Sequence, residues 1–300
     1  MIAKTKFRNE EEKRAYVQAC DSDFEARLDE VMKDVCSRKE LKYVTLSGPT
    51  CSGKTTASKK LISEFKERGR NVKTISLDDF FRDRAVLEEE ARREGRGIDF
   101  DSEQALDIPA LKAFIDALHA GVPAPLPKFE FVGGKRVSVT EFMPEETDII
   151  LFEGIQAIYP VFTDLIKGIP CLSLMISVED SLTVGDVTLS PRTVRLMRRL
   201  VRDYRFRGAA PEFSFLLWEG VTANEDRNIL PFTDRAELHI KSLLGYEACM
   251  LKPYLDPLMS SVPTTSPYRN KADGLLRALE NIDVISADYL PENALYREFI

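Results

Sequence analysis

Three hundred residues, 44% of them hydrophobic, suffice for one α/β catalytic unit with an accessory lobe or two closely packed lobes. A net charge of −7 argues against a nucleic-acid surface spread over the whole molecule, so any positive site must be focused. No run approaches the roughly 20 apolar residues of a membrane span, the opening MIAKTKFRNEEEKR has no apolar leader core, and five scattered cysteines suit free thiols in a reducing compartment; a cytoplasmic enzyme is expected.

Residues 1–40 read as a helical extension, because Phe24, Leu28, Val31 and Val35 recur at helical spacing in a charged stretch. The main domain is expected over 41–300. It opens with a buried strand, Leu41 to Ser47, then a Gly-rich turn and a helix from about Lys54 to Arg68 that Gly69 ends. A second strand, Val72 to Leu77, runs into Asp78-Asp79 and completes a parallel βαβ unit with polar residues at its carboxyl edge. The charge run 86–97 reads as a solvated helix or loop, with a mobile flap as the alternative because it lies between two site segments.

A helix is predicted from Ile108 to Ala120. The Pro-rich segment 123–127, with Phe129 and Phe131 before Gly133-Gly134, then predicts a small hairpin lobe over about 123–140. The apolar run Asp148 to Phe152, ending in Glu153-Gly154, and the run Cys171 to Val178 bring the parallel core to at least four strands. A basic helix-to-loop segment follows at about 191–210, and the rest reads as mainly helical. His119 and His239 are isolated and read as structural.

Chemistry first becomes visible at Gly48, Pro49, Thr50, Cys51, Ser52, Gly53, Lys54 and Thr55, which satisfy G-x-x-x-x-G-K-[ST] between a predicted strand and a predicted helix. The glycines let the backbone amides turn inward, Lys54 reaches the outer phosphates, Thr55 can ligate Mg2+, and Thr56 continues the loop into the helix. ATP with Mg2+ is the expected pair. Cys51 reads as a small loop-filling side chain rather than a redox switch.

Three further features separate a kinase from other users of such a loop. Asp78 is positioned to take a proton from an attacking hydroxyl, with Asp79 as the alternative and the other serving as a helix cap. Glu153, ending a wholly apolar strand, suits Mg2+ or its water shell. Between Arg192 and Arg207 lie seven arginines in an otherwise acidic chain, fitting a helical lid that neutralises a transferring phosphoryl group. A solvated amphipathic helix accounts for some of them, with Leu196, Leu200 and Val201 facing the protein. RNA binding lacks the stacking platform it would need, so a nucleic-acid partner is not expected.

The pieces SGPTCSGKTTASKKL, ISLDDFFRDR, IDFDSEQALD, LPKFEFVGGKR, ILFEG, RRLVRDYRFRG, NILPF and LKPYLDPL, in this order, resemble the phosphoribulokinase/uridine kinase family of P-loop kinases. The likeness is greatest to a uridine-kinase-like branch sometimes fused to threonyl-tRNA-synthetase-like domains. It implies an α/β P-loop NTPase fold, a doubly wound and mainly parallel sheet with a helical Arg-rich lid and a small β-hairpin acceptor lobe. It further implies that Asp78 is the general base, Glu153 a Mg2+-associated acid, and Arg202 and Arg207 lid arginines near the transferred phosphate. By the same resemblance Arg199 helps hold substrate, Asp101 binds sugar hydroxyls, and Phe81 and Phe129 line the acceptor pocket.

The departures are specific. Uridine kinases look to carry tyrosine at the positions of Phe81 and Phe129 and histidine at that of Gly134, so polar groups that would read a base are missing here. Arginines expected of the fused branch are absent at Thr222-Ala223-Asn224. The closing LPENALYREFI is similar to the end of that branch, so the kinase module is expected to be complete, without the synthetase-like domains. A small-molecule acceptor is the expected partner, first a nucleoside and then a sugar or sugar phosphate. A homo-oligomer is compatible, and no membrane partner is expected. The competing expectation is a catalytically silent ATP-binding regulatory module.

Overall fold

The computed structural model describes residues 1–95, 101–131 and 133–300. Asn9 starts helix α1 (Glu10–Ser37) by accepting from the Glu12 amide at 2.9 Å, and the helix lays Val17, Phe24, Leu28, Met32 and Val35 into the main core. Strand β1 (Tyr43–Ser47), helix α2 (Lys54–Glu67) and strand β2 (Val72–Ser76) follow, with Gly69 at φ +72° just beyond α2. The remaining elements are α3 (Arg84–Glu94), α4 (Ile108–Ala120), the hairpin β3 (Ala124–Glu130) and β4 (Lys135–Phe142), β5 (Ile149–Glu153), a single turn α5 (Pro160–Thr163), and β6 (Cys171–Ser177). After the ribbon β7 (Leu182–Val184) and β8 (Val187–Leu189) come α6 (Pro191–Arg207), α7 (Pro211–Asn224), β9 (Leu238–Lys241), α8 (Glu247–Ser260) and α9 (Arg269–Leu279).

Five strands form one parallel sheet in the order β2-β5-β1-β6-β9. The inner strands are apolar on both sides because both faces are covered. Val44, Leu46, Ile149 and Leu151 point into the larger cluster with α1, α2, α6 and α8, whereas Tyr43, Ile150 and Phe152 point into a second cluster with Phe80, Phe114 and Phe162. The hairpin β3–β4 is a separate two-stranded ribbon. No helix among the described residues is long and apolar enough to cross a membrane.

Three segments gain detail. The fifth strand, β9, was not visible in the sequence: it is four residues long, sits at the sheet edge and buries only Ile240. Its His239 contacts Glu179 through Nδ1 at 2.8 Å. The basic segment is a helix, capped by Ser190 and entered through Pro191, that runs to Arg207 and gives way to a loop at Gly208. The charge run begins as helix α3, held down by Leu87 and Ala91, while residues 96–100 lie outside the described residues.

Candidate active site

The strand order brings three chain crossings to one edge. In register, Glu153 on β5 pairs with Ser76 on β2 and with Leu46 on β1. Asp78 lies just past Ser76 and Gly48 just past Leu46, so base candidate, acid candidate and phosphate loop converge at the carboxyl ends of adjacent strands.

The loop is tightly constrained. A Cβ on Gly48 would lie 2.2 Å from the Ile176 carbonyl oxygen, so no larger residue fits beside β6. Cys51 adopts φ +58° and Gly53 φ +99°. Lys54 Nζ donates to the carbonyls of Gly48 at 2.7 Å and Pro49 at 3.1 Å, curling over the loop. Burial pulls its pKa down, while Glu298, Asp78 and Glu153 favour its charge. Thr55 is exposed on the first turn of α2, and Thr56 is half-buried.

Asp78 titrates unlike an ordinary carboxylate. Burial pushes it up to about 6; Lys54 works against this, while Asp101 and Glu153 reinforce it. Burial also raises Glu153, again opposed by Lys54. Asp79 is engaged elsewhere. Its carboxylate accepts from the Phe129 amide at 3.2 Å and pairs with Lys128 at 3.1 Å, tying the hairpin to the end of β2. Asp78, by contrast, lies within the electrostatic reach of Lys54.

Thr55 and Glu153 offer only oxygen donors, the set Mg2+ takes alongside retained waters and phosphate oxygens. They therefore fit such an ion.

The arginines of α6 divide into two groups. Arg195 is buried against Glu225, at 2.5 and 2.6 Å, and donates to the Thr50 carbonyl at 3.2 Å. Arg198, fully buried, forks onto Glu247 at 2.8 and 2.5 Å and donates to the Cys51 carbonyl at 3.0 Å. Phe299 lies 4.9 Å from its guanidinium and Tyr296 5.8 Å. These two arginines hold the back of the phosphate loop.

The second group gathers around the buried Asp203. Its carboxylate accepts from Arg199 Nε at 3.1 Å and Arg202 Nη2 at 2.8 Å and pairs with Arg207 at 3.3 Å. Arg199 is also buried, with its guanidinium 5.9 Å from the Trp218 ring, whereas Arg207 is 60% exposed. Partial burial, then the neighbouring Arg202, pulls Arg207 below the usual guanidinium range, with Asp203 opposing. Three cations on one carboxylate leave an excess of positive charge suited to a phosphoryl group.

Beside the hairpin, Phe81 and Phe129 meet edge to face at 5.7 Å, and Phe131 joins them at 5.5 Å from Phe129. With Arg82, Arg84 and Leu87 they line a cavity of about 190 Å³. Gly134 has φ +63°, and a Cβ there would come within 2.9 Å of Arg84, which occupies the space beside it. A larger cavity of about 880 Å³ adjoins Phe81, lined among others by Asp83, Glu90, Glu94, Glu103, Asp107, Arg82 and Arg136. Asp101 is close enough to Asp78 to raise its pKa, and its carbonyl accepts from the Tyr159 hydroxyl at 2.7 Å. The first residues of IDFD, 98–100, lie outside the described residues. Asn224, in the segment without the expected arginines, is buried and donates to the Tyr159 hydroxyl at 3.3 Å.

Sequence reasoning did not find Glu247, Glu225, Asp203 or Glu298. All four work through partners on α6 or α2, and for Glu225, Glu247 and Glu298 those partners are distant in sequence.

A family model described as "Phosphoribulokinase / Uridine kinase family" matches residues 43–245. Uridine kinases of Deinococcus deserti and Lactobacillus helveticus are 26% and 27% identical over 170 and 165 residues, covering 56% and 55% of this chain and 72% and 69% of theirs. Among solved structures, a candidate fructose transport system kinase from Silicibacter sp. TM1040 superposes with a TM-score of 0.53 at 19% identity, over 71% of this chain and 98% of that one. A "Possible Uridine Kinase" from Bacillus stearothermophilus gives 0.50 at 16% identity, over 73% and 100%. These structural likenesses support the fold.

Proposed function

The chain belongs to the phosphoribulokinase/uridine kinase family, and from that premise we propose that it transfers the γ-phosphoryl group of ATP to a hydroxyl of a nucleoside-like small molecule. The observation that carries this reading is Asp78, half-buried just past β2 within the electrostatic reach of Lys54 and with its pKa pushed up to about 6, since a module that only bound nucleotide would have no use for an acceptor base.

The loop amides and Lys54 hold the triphosphate. When bound, Mg2+ adds charge neutralisation on the phosphate oxygens, with Thr55 and Glu153 as its protein donors. Asp78 orients the acceptor hydroxyl and takes its proton as the oxygen bonds to the γ-phosphorus; the bond from that phosphorus to the β-phosphate bridging oxygen breaks, and ADP leaves. Arg202 and Arg207 stabilise the charge on the group in flight, and Arg199 supports them through Asp203.

The aromatic trio Phe81, Phe129 and Phe131 supports a flat acceptor ring, and Asp101 beside Asp78 supports sugar hydroxyls. A free sugar is the second reading, favoured by the carboxylate-rich larger cavity. There Arg82 is already paired with Glu90, and Arg136 with Asp107 at 2.7 Å, a poor setting for a sugar phosphate.

The test is ATP consumption with Mg2+ against nucleosides, sugars and sugar phosphates, with Asp78→Ala as control. Turnover that depends on one acceptor and is lost in the variant establishes the kinase. Tight ATP binding without turnover on any acceptor returns the weight to a regulatory module.

A further inference from the structure

One polar group at the phosphate loop comes from more than 240 residues away. The 3₁₀ turn Leu295–Glu298 packs against the start of α2, where the Leu295 side chain lies 2.7 Å from the position a Cβ on Gly53 would take. Leu295, Tyr296 and Phe299 are buried, but Glu298 between them is only half-buried. Its carboxylate lies 3.4 Å from the Thr56 amide and 3.3 Å from the Thr56 hydroxyl, which donate to it.

Those donors belong to the first turn of α2, whose amides have no partner within the helix and which, in a loop of this kind, face nucleotide phosphate. A carboxylate there makes the contacts a phosphate oxygen would make. Glu298, like Asp78, favours the charge on Lys54, and it acts on Glu153 and Arg202 as well, so it shares the electrostatic space of the nucleotide site.

We propose that Glu298 is a phosphate mimic built into the chain, occupying one of the nucleotide's own contacts at Thr56, so that ATP and Glu298 compete and the affinity for nucleotide is set from within the molecule. This rests on the reading of the loop as the ATP site.

Only the Glu298 side chain has to move. Tyr296 and Phe299 stack edge to face at 5.5 Å, Tyr296 donates to Glu247 at 3.3 Å, and both rings lie against Arg198. Displacing the whole segment would expose these side chains and unsettle a buried ion pair, whereas a rotamer change at Glu298 returns a half-buried carboxylate to water. With nucleotide bound, a carboxylate left in place would face a polyanion, and that repulsion drives the exchange.

The experiment is calorimetric titration of the whole chain with Mg-ADP and with a non-hydrolysable Mg-ATP analogue, comparing wild type, Glu298→Gln and Glu298→Ala. The nearly isosteric glutamine keeps the packing if alanine loosens the turn, and unfolding midpoints without nucleotide check this. Removing the negative charge is expected to tighten both ligands roughly tenfold, on the scale of one charge-assisted contact. Equal affinity, or weaker affinity in Glu298→Gln, would overturn the proposal, the latter by making Glu298 a group that helps to hold the nucleotide. If neither wild type nor variants bind nucleotide, the reading of the loop itself fails, and the proposal with it.

Discussion

Arg198 donates through Nη1 to the carbonyl of Cys51 at 3.0 Å, and Cys51 is the one non-glycine among the described residues with a positive φ. The strained turn of the phosphate loop is thus held from behind by a buried guanidinium. Arg198→Met should strand the Glu247 carboxylate in the core and cost about 3–5 kcal/mol in urea unfolding. Adding Glu247→Gln should restore much of that stability but not nucleotide affinity, because the Cys51 carbonyl still lacks its donor. Wild-type affinity in the double variant would reduce Arg198 to a piece of core.

Asp78→Asn should lower turnover by roughly 10²–10⁴-fold, the worth of a general base, and leave nucleotide affinity nearly intact. It should also make the protein more stable. Asp78 is raised to about 6 from an ordinary 3.8, so folding favours its protonated form. The stabilisation is full below about pH 4 and is lost as pH rises through 6, which leaves the ionised group a cost on the order of 3 kcal/mol at neutral pH. The melting point of the variant should therefore exceed that of wild type at pH 7.5 and converge on it near pH 4.

As the proposed base, the same group should set a pH limit on the reaction. In wild type, kcat/KM for the acceptor should fall as pH drops through about 6 and Asp78 takes up a proton before the acceptor can supply one. A profile flat down to pH 5 would move the base role away from Asp78.

Arg202 and Asp203 should separate charge from support. Arg202→Gln is expected to lower kcat by roughly 10²–10³-fold with little change in acceptor KM, as for a group that acts on charge developing in transit. Asp203→Asn should lower kcat and also the unfolding midpoint, because Asp203 is buried and anchors three guanidiniums. Steady-state kinetics with thermal unfolding distinguish the two.

Phe129→Ala should raise acceptor KM by roughly tenfold and leave the nucleotide untouched, since an aromatic wall supplies binding rather than charge. Equal loss for both ligands would mean that the hairpin had collapsed.

How far the sequence could be read depended on how local each signal was. The phosphate loop, Asp78 and Glu153 follow strands whose apolar runs announce them, and the hairpin shows in its prolines, aromatics and paired glycines. The tie of Asp79 to the Phe129 amide, fifty residues away, leaves no trace in the sequence and shows only in the fold. The arginine run was plain, but the division of labour within it was not. Arg195 and Arg198 find Glu225 and Glu247 across the molecule, and a helical period cannot tell a guanidinium that braces a loop from one that meets a phosphate. β9 escaped notice because four residues with one buried side chain carry almost no pattern.

The contacts among Cys51, Arg198 and Glu247 span nearly two hundred residues of the chain. A nascent polypeptide could form β1, α2 and the neighbouring strands early, yet its phosphate loop would lack its brace until Arg198 and Glu247 had left the ribosome and docked. Chains released from synthesis just short of that point should fold much of the sheet and still fail to retain nucleotide, so the capacity to bind ATP should be among the last properties to emerge during translation.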